Sequence, residues 1–383
     1  MKIKDVIYLD HNATTMIAPE VAEAMEPYIK EVFGNPSSSH ELGYEAKMAI
    51  ENARNSVADL IGARPQEIIF TSGGTESNNM VLKGIIDLKE PNKNHIIISA
   101  VEHPSILNPA IYLMELGVQV SIVGVDRYCL VDPGDVKKAI RANTRLISIM
   151  LANNETGTIQ PVKEIAAIAK EHGIPVHTDA AQAMGKIPVD VKELGVDILS
   201  LAGHKLYAPK GIGALYVGND LGITPLLHGG GQEGGRRSGT ENVIMIVALG
   251  VACDLIKKRL REDMVHMERL RNRLHELLSE QINDIVLNGH PQRRLPNTLN
   301  VSIPGIRGDM ILREIPKVIA STGAACHQEK EKISHVLSSM GVPEDIAIGA
   351  LRFSVGRSNT PMQIEEAAEL IVSQLKRLKE EQI

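Results

Sequence analysis

Ile198-Leu199-Ser200-Leu201-Ala202-Gly203-His204-Lys205, followed by a Pro/Gly-rich segment at 209–213, is the stretch on which the fold turns. An apolar run of strand length that stops on a glycine reads as a buried strand closed by a tight turn. That turn holds one amine at the mouth of a sheet. Upstream, Val176-His177-Thr178-Asp179-Ala180-Ala181-Gln182 reads as another strand, with an acid at its carboxyl end.

Working outward, further strands are expected at Glu67 to Thr71, His95 to Ala100, Val118 to Val123, Leu146 to Leu151, Pro175 to Thr178, Asp197 to Ala202 and Ala214 to Val217. Helices fill the intervals, among them Glu76 to Leu88, Pro104 to Leu116, Pro133 to Ala142 and Val162 to His172. Near-continuous apolar strands between helices predict an α/β fold with a mostly parallel seven-stranded sheet covered on both faces. Ligands of such sheets bind at the carboxyl ends of the strands. After about residue 242 a long charged helix reaches Gln281, with shorter strands near Ile285 to Leu287, Thr298 to Ile303 and Leu351 to Val355. The division expected is a large domain over residues 15–255 and a smaller α+β domain from 1–14 and 256–383.

Composition narrows the function. The chain has 383 residues, 23% charged and 43% hydrophobic, as an ordinary globular protein has. A formal net charge of -6, no Trp and few aromatics speak against nucleic acid as a partner. No apolar run reaches the ~18 residues of a membrane span. Cys129, Cys253 and Cys326 are far apart in sequence, so neither a disulfide framework nor a zinc knuckle is expected, and a reducing cytoplasm is the default compartment. The histidines show no metal-ligand spacing, and no metal site is expected.

Several motifs carry chemistry. Lys205 and Asp179, at the ends of neighbouring strands, are what pyridoxal 5'-phosphate (PLP) needs: an amine for the Schiff base and an acid to keep the pyridine nitrogen protonated. Thr71-Ser72-Gly73-Gly74-Thr75-Glu76-Ser77-Asn78 lies between a strand and a helix, where free N–H groups and a hydroxyl suit one phosphomonoester. It lacks the GK[ST] ending of a nucleotide P-loop. His103, after the strand His95 to Ala100, suits ring stacking and proton transfer. Asn154 and Gln182 are amides placed to bond a cofactor. Residues 228–239, HGGGQEGGRRSG, read as a flexible anion-handling loop ending at Thr240. Cys326, in a run of small residues before a charged 329–332 piece, reads as an exposed thiol on a mobile arm, with His327 favouring thiolate. Arg352, at a strand start, suits a carboxylate clamp.

As a set these motifs, with Tyr8-Leu9-Asp10-His11-Asn12-Ala13-Thr14-Thr15, Gly34-Asn35-Pro36-Ser37-Ser38, Asn153-Asn154-Glu155 and Arg237-Ser238-Gly239-Thr240, resemble the NifS/IscS family of cysteine desulfurases. That family lies within the class-V aminotransferases, fold-type I PLP enzymes. The resemblance covers nearly the whole chain. It implies that Lys205 carries the Schiff base and moves the Cα proton, Asp179 pairs with the pyridinium, Gln182 bonds the phenolate oxygen and His103 stacks on the ring. It further implies phosphate contacts from the Gly74 turn, Thr75, His204 and a partner subunit's Thr240 in a homodimer. Asn154 would help hold cofactor and substrate, Asn12 and Arg352 the substrate carboxylate, and Cys326 would accept the sulfur. A sulfur-receiving protein such as an iron–sulfur scaffold is then the expected partner. Two features depart from that pattern. Ala202 stands where many relatives have a phosphate-binding Ser. The strings around Gly229 to Glu233, Gly239 to Asn242 and Gly323 to His327 are similar to the selenocysteine lyase branch, so L-selenocysteine stands beside L-cysteine as a substrate, with cysteine preferred.

Overall fold

The computed structural model describes residues 6–218, 221–322 and 333–381. Its centre is a seven-stranded sheet in the order Ile68–Thr71, Gly213–Val217, Ile198–Ala202, Val176–Asp179, Thr144–Ser148, His95–Ser99, Gln119–Val123. Every neighbouring pair is parallel except those of Gly213–Val217, which runs antiparallel to both neighbours. Only a short turn separates that strand from Ile198–Ala202, too short for a crossover helix, so the chain returns antiparallel.

Successive side chains leave the sheet on opposite faces and both faces are covered. Ile68, Phe70, Ile97, Ile147, Leu199 and Ala214 belong to one core, and Ile69, Ile96, Ile98, Leu146, Ile198 and Leu215 to the other. Burial on both sides explains why the strands lack polar alternation. The expected strand to Leu151 ends its ladder at Ser148, although Leu151 N still donates to Asp179 O at 2.9 Å. The expected helix from Glu76 begins at Gly74 and ends at Gly84.

A four-stranded antiparallel sheet, Ser321–Thr322, Ala350–Ser354, Thr298–Ser302 and Val286–Leu287, forms the base of a second core. The N-terminal segment joins it: Ile7–Tyr8 pairs parallel with Val318–Ile319, and Asp10 bridges to Ser354. One helix, Val243–Gln281, serves both cores, Ile246 to Ile256 packing in the first and Met267 to Leu278 in the second. The boundary expected near residue 255 falls inside this unbroken helix.

Two N-terminal helices, Pro19–Lys30 and Glu41–Ile61, escape the sequence reading. The buried face of the second contains Ala46, Ala49 and Ala53, residues too small to give a strong apolar periodicity. Small side chains are what the packing requires, because this helix lies against Val243–Gln281 at very close range. A Cβ on Gly250 would meet the Ala53 Cα and Cβ at 2.7 Å. Gly250→Ala should therefore force the helices apart and lower unfolding free energy by about 2 kcal/mol, read as an earlier midpoint in denaturant or heat. An unchanged midpoint would contradict this contact.

Among the described residues no helix is long and apolar enough to cross a membrane.

Candidate active site

Parallel pairing of Val176–Asp179 with Ile198–Ala202, with Asp179 opposite Ser200, brings the carboxyl ends of the two strands to one edge. A single turn after Ala202 sets Lys205 there, and the turn before Gly74 arrives at the same edge. A cavity of about 430 Å³ opens at this edge. Asn12, Gly74, Thr75, His103, Asn154, Asp179, Gln182, Ala202, His204, Lys205 and Arg352 all line it. The structure thus gathers residues spread from 12 to 352 in one place.

Lys205 Nζ donates to the backbone carbonyls of Asn12 and of Ala13, the latter at 2.7 Å. Burial and the Arg352 guanidinium together lower its pKa to about 8, against an upward pull from Asp10 and Asp179. The amine thereby loses its proton far more readily than an exposed lysine, as a nucleophile or base near neutral pH requires.

Asp179 is held by Asn78 and by its own turn: Asn78 Nδ2 donates to Asp179 Oδ2 at 2.7 Å, and Ala181 N to Oδ1 at 2.9 Å. The other Asn78 hydrogen goes to Ser105 Oγ at 2.8 Å, and Ser105 Oγ lies 2.8 Å from His103 Nδ1. Ser105 N also donates to that nitrogen, at 3.1 Å, as the cap of the Pro104–Glu115 helix. With Nδ1 accepting, the neutral ring carries its hydrogen on Nε2. Burial and the Lys205 cation hold the His103 pKa below the ordinary value, against an upward pull from Asp179. Next to it, Glu102 is wholly buried: Ser99 Oγ and Met150 N donate to Oε1 at 2.6 and 2.9 Å, while Oε2 has no partner. Burial raises the Glu102 pKa to about 8, so the acid is mostly protonated at neutral pH.

The phosphate turn has the features its sequence suggests. Gly73 adopts φ 149°, a conformation open to glycine, and no side chain caps the Gly74–Gly84 helix. A Cβ on Gly213 of the adjacent strand would lie 2.7 Å from Gly73 Cα, so the turn sits directly on the sheet. His204, its pKa lowered to about 4 by burial and nearby cations, is a neutral imidazole whose Nδ1 lies 3.2 Å from Thr14 Oγ1. Ala202 lines the cavity with a methyl group and offers no hydrogen bond.

Arg352 Nη2 bonds Asp10 Oδ1 at 2.9 Å and Nη1 bonds Asn154 O at 3.1 Å, leaving a buried Nε without a partner. The Asn12 amide is engaged by Asn154 O, Thr298 Oγ1 and Asn297 Nδ2. Its carbonyl accepts from Lys205 and, at 3.0 Å, from Gln182 Nε2.

Cys326 and His327 lie outside the described residues. Thr240 is exposed and does not line this cavity. The 228–239 loop is not the free arm its composition suggests: Arg54 clamps the buried Glu233 through two 2.8 Å bonds, and Arg237 Nε bonds Glu76 Oε1 at 2.9 Å. The guanidiniums are neutralised by carboxylates distant in sequence. Sequence reading also assigned no role to Asn78, Ser105 or Asp10. Asn78 and Ser105 sit inside quoted motifs, but their partners appear only after folding.

A lysine nucleophile, an acid for a ring nitrogen, an imidazole and an uncapped helix start within one cavity fit PLP by donor set. A class-V aminotransferase model matches residues 7–366. The chain belongs to the class-V aminotransferase family. Its relatives include a cysteine desulfurase IscS of Dictyoglomus turgidum, 46% identical, with 98% of this chain and 96% of that protein covered. Another, from Methanosarcina thermophila, is 47% identical over 97% and 93% of the two chains. A solved NifS-like protein superposes with a TM-score of 0.91 at 39% identity, covering 97% of this chain and 99% of its own. A structure described as SspA in complex with cysteine gives 0.80 at 38% identity, covering 92% and 99%. Members of this family are PLP-dependent enzymes, and PLP is the cofactor of this chain.

In the cofactor-free protein, Lys205 should titrate near pH 8 rather than near the ordinary 10.5, followed by NMR after reductive ¹³C-methylation. Arg352→Gln removes a neighbouring cation and should move that midpoint upward. A midpoint of an exposed lysine in the unaltered protein would refute the buried setting.

Proposed function

We propose that this enzyme is a cysteine desulfurase that converts L-cysteine to L-alanine and leaves the sulfur as a persulfide on Cys326, with PLP held around Lys205. The observation that carries the reading is the convergence of Lys205, Asp179, His103, Gln182 and Arg352 on one cavity, in a chain whose full-length relatives are named for this reaction.

Bound there, PLP supplies an electron sink that makes the substrate's Cα proton acidic. Asp179, fixed by Asn78 and the Ala181 amide, offers a carboxylate to the ring nitrogen. The N–H groups at Gly74 and Thr75, with His204, would hold the phosphate. Gln182 Nε2 would donate to the ring oxygen and His103 would stack on the ring. The Arg352 guanidinium takes the substrate carboxylate, assisted by Asn154 and the Asn12 region, which fixes Cα near Lys205. Lys205 Nζ, which gives up its own proton more readily than an exposed lysine, would take the Cα proton. The Cys326 thiolate attacks the substrate sulfur: the new S–S bond forms as the C–S bond breaks, and the electron pair left on carbon is protonated on the way to alanine. Cysteine is preferred over selenocysteine because the relatives are named for cysteine.

The enzyme works as a homodimer that passes sulfur to an acceptor protein such as an iron–sulfur scaffold. Support for the dimer is the exposure of Phe33 (79%) and Tyr44 (63%), with Leu42 and Met48, on and just before the Glu41–Ile61 helix. Thr240, turned away from its own cavity, is then available to a partner's.

Incubated with L-cysteine, the holoenzyme should release alanine in step with persulfide on Cys326, read by mass spectrometry. Lys205→Ala should lose both the yellow colour and alanine formation. Cys326→Ala should lose the protein persulfide, and persulfide formation undiminished in that variant would overturn the acceptor role. Turnover of L-selenocysteine far above L-cysteine would replace the desulfurase by the lyase. Sedimentation should give twice the chain mass of 41.6 kDa.

A further inference from the structure

Lys186 is a lysine with 4% of its surface exposed, one turn beyond Gln182. Its Nζ donates to Gln182 O at 3.0 Å and to Gln182 Oε1 at 3.1 Å, and among the described residues no carboxylate pairs with it. Burying an amine in this way is costly, whereas a methionine of similar volume would carry no such cost. What the amine alone supplies is a donor aimed at Oε1. Because an amine can donate but an amide oxygen only accepts, this contact decides which end of the Gln182 amide faces where. The oxygen turns to Lys186, and Nε2 points to the Asn12 carbonyl, the same oxygen that Lys205 Nζ contacts.

We propose that Lys186 is a positioning residue, which locks the Gln182 amide with its N–H groups toward the cofactor's ring oxygen and so lowers the basicity of the nitrogen through which Lys205 holds the cofactor. This rests on the roles given above to Lys205 and Gln182. A donor on the ring oxygen draws charge to it and weakens that oxygen as a partner for the neighbouring protonated nitrogen. A locked amide makes this effect constant; an amide free to flip presents its oxygen part of the time and loses it. The charged groups around Lys186 act with the same sign. Burial, with repulsion from Lys205 and Arg352, brings its pKa down to about 7. His11 and His204, each lowered to about 4, face the same charge as neutral rings. Charged or neutral, the amine still donates to Oε1, so the lock holds through the working pH range.

The test is a spectrophotometric pH titration of the visible band of the substrate-free holoenzyme, in wild type, K186M, Q182A and the double variant. K186M should raise the midpoint by roughly one pH unit, the size of one lost hydrogen bond to a charged group. Q182A should raise it similarly, and the double variant no further than the larger single change, because both act through one amide. Should the methionine prevent folding, K186N, polar but too short to reach Oε1, is read in its place with the same expectation. A midpoint unchanged in K186M, or shifts that add in full in the double variant, would overturn the proposal. Failure of borohydride to fix a pyridoxyl group on Lys205 in the wild type would instead overturn the function on which it rests, and this inference with it.

Discussion

The pairing of Val176–Asp179 beside Ile198–Ala202, with Asp179 opposite Ser200, is the constraint on which the site depends. Because both strands run the same way, the acid and the amine emerge at one edge within a turn of their strand ends. Slipping that register by one residue would send the apolar side chains to the wrong face and carry Asp179 away from Lys205. The cores on the two faces of the sheet forbid the slip. Asp179 and Lys205 are therefore positioned by hydrophobic burial acting at a distance, rather than by contact between the two residues.

Around that pair the protein manages charge by burial more than by pairing. Lys205, Lys186, His103 and His204 are all pushed toward their neutral forms, and Glu102 toward its protonated one. Few fixed charges remain near the cavity: Arg352, tied to Asp10, and Asp179, tied to Asn78. A carboxylate-bearing substrate thus meets a definite cation, while proton-moving groups stay close to neutrality where transfer is easiest. The Asn78–Ser105 chain links Asp179 to His103, so the carboxylate and the imidazole are set by one network.

The small domain contributes through its connections. Arg352 lies on Ala350–Ser354, and the N-terminal segment reaches that sheet through the Asp10 bridge and Asn12 N to Ser354 Oγ at 2.8 Å. The same segment supplies the carbonyls that contact Lys205. Arg352 and Lys205 are thereby coupled through the turn at residues 10–13, closed by Ala13 N donating to Asp10 O at 3.0 Å, and the Val243–Gln281 helix packs in both cores.

Much of this was legible in the residues. Strand-length apolar runs ending in Gly203 and Asp179 specify a doubly covered parallel sheet and its functional edge, because burial on both faces leaves that mark on composition. Lys205, Asp179 and the Gly73-Gly74 turn announce their chemistry by residue type at strand ends. Other features had no local signature. The Glu41–Ile61 helix hides because close packing at Gly250 demands small side chains, which carry little hydrophobic signal. The Gly/Arg loop reads as mobile because Glu233 and Arg54 stand 179 residues apart in sequence. Lys186 carries no local signature of its burial, since nothing in its neighbours announces it. Residue types near the chain's own strand ends determine which chemistry is possible; only tertiary packing decides which buried charges face one another, because those encounters join segments that sequence proximity does not connect.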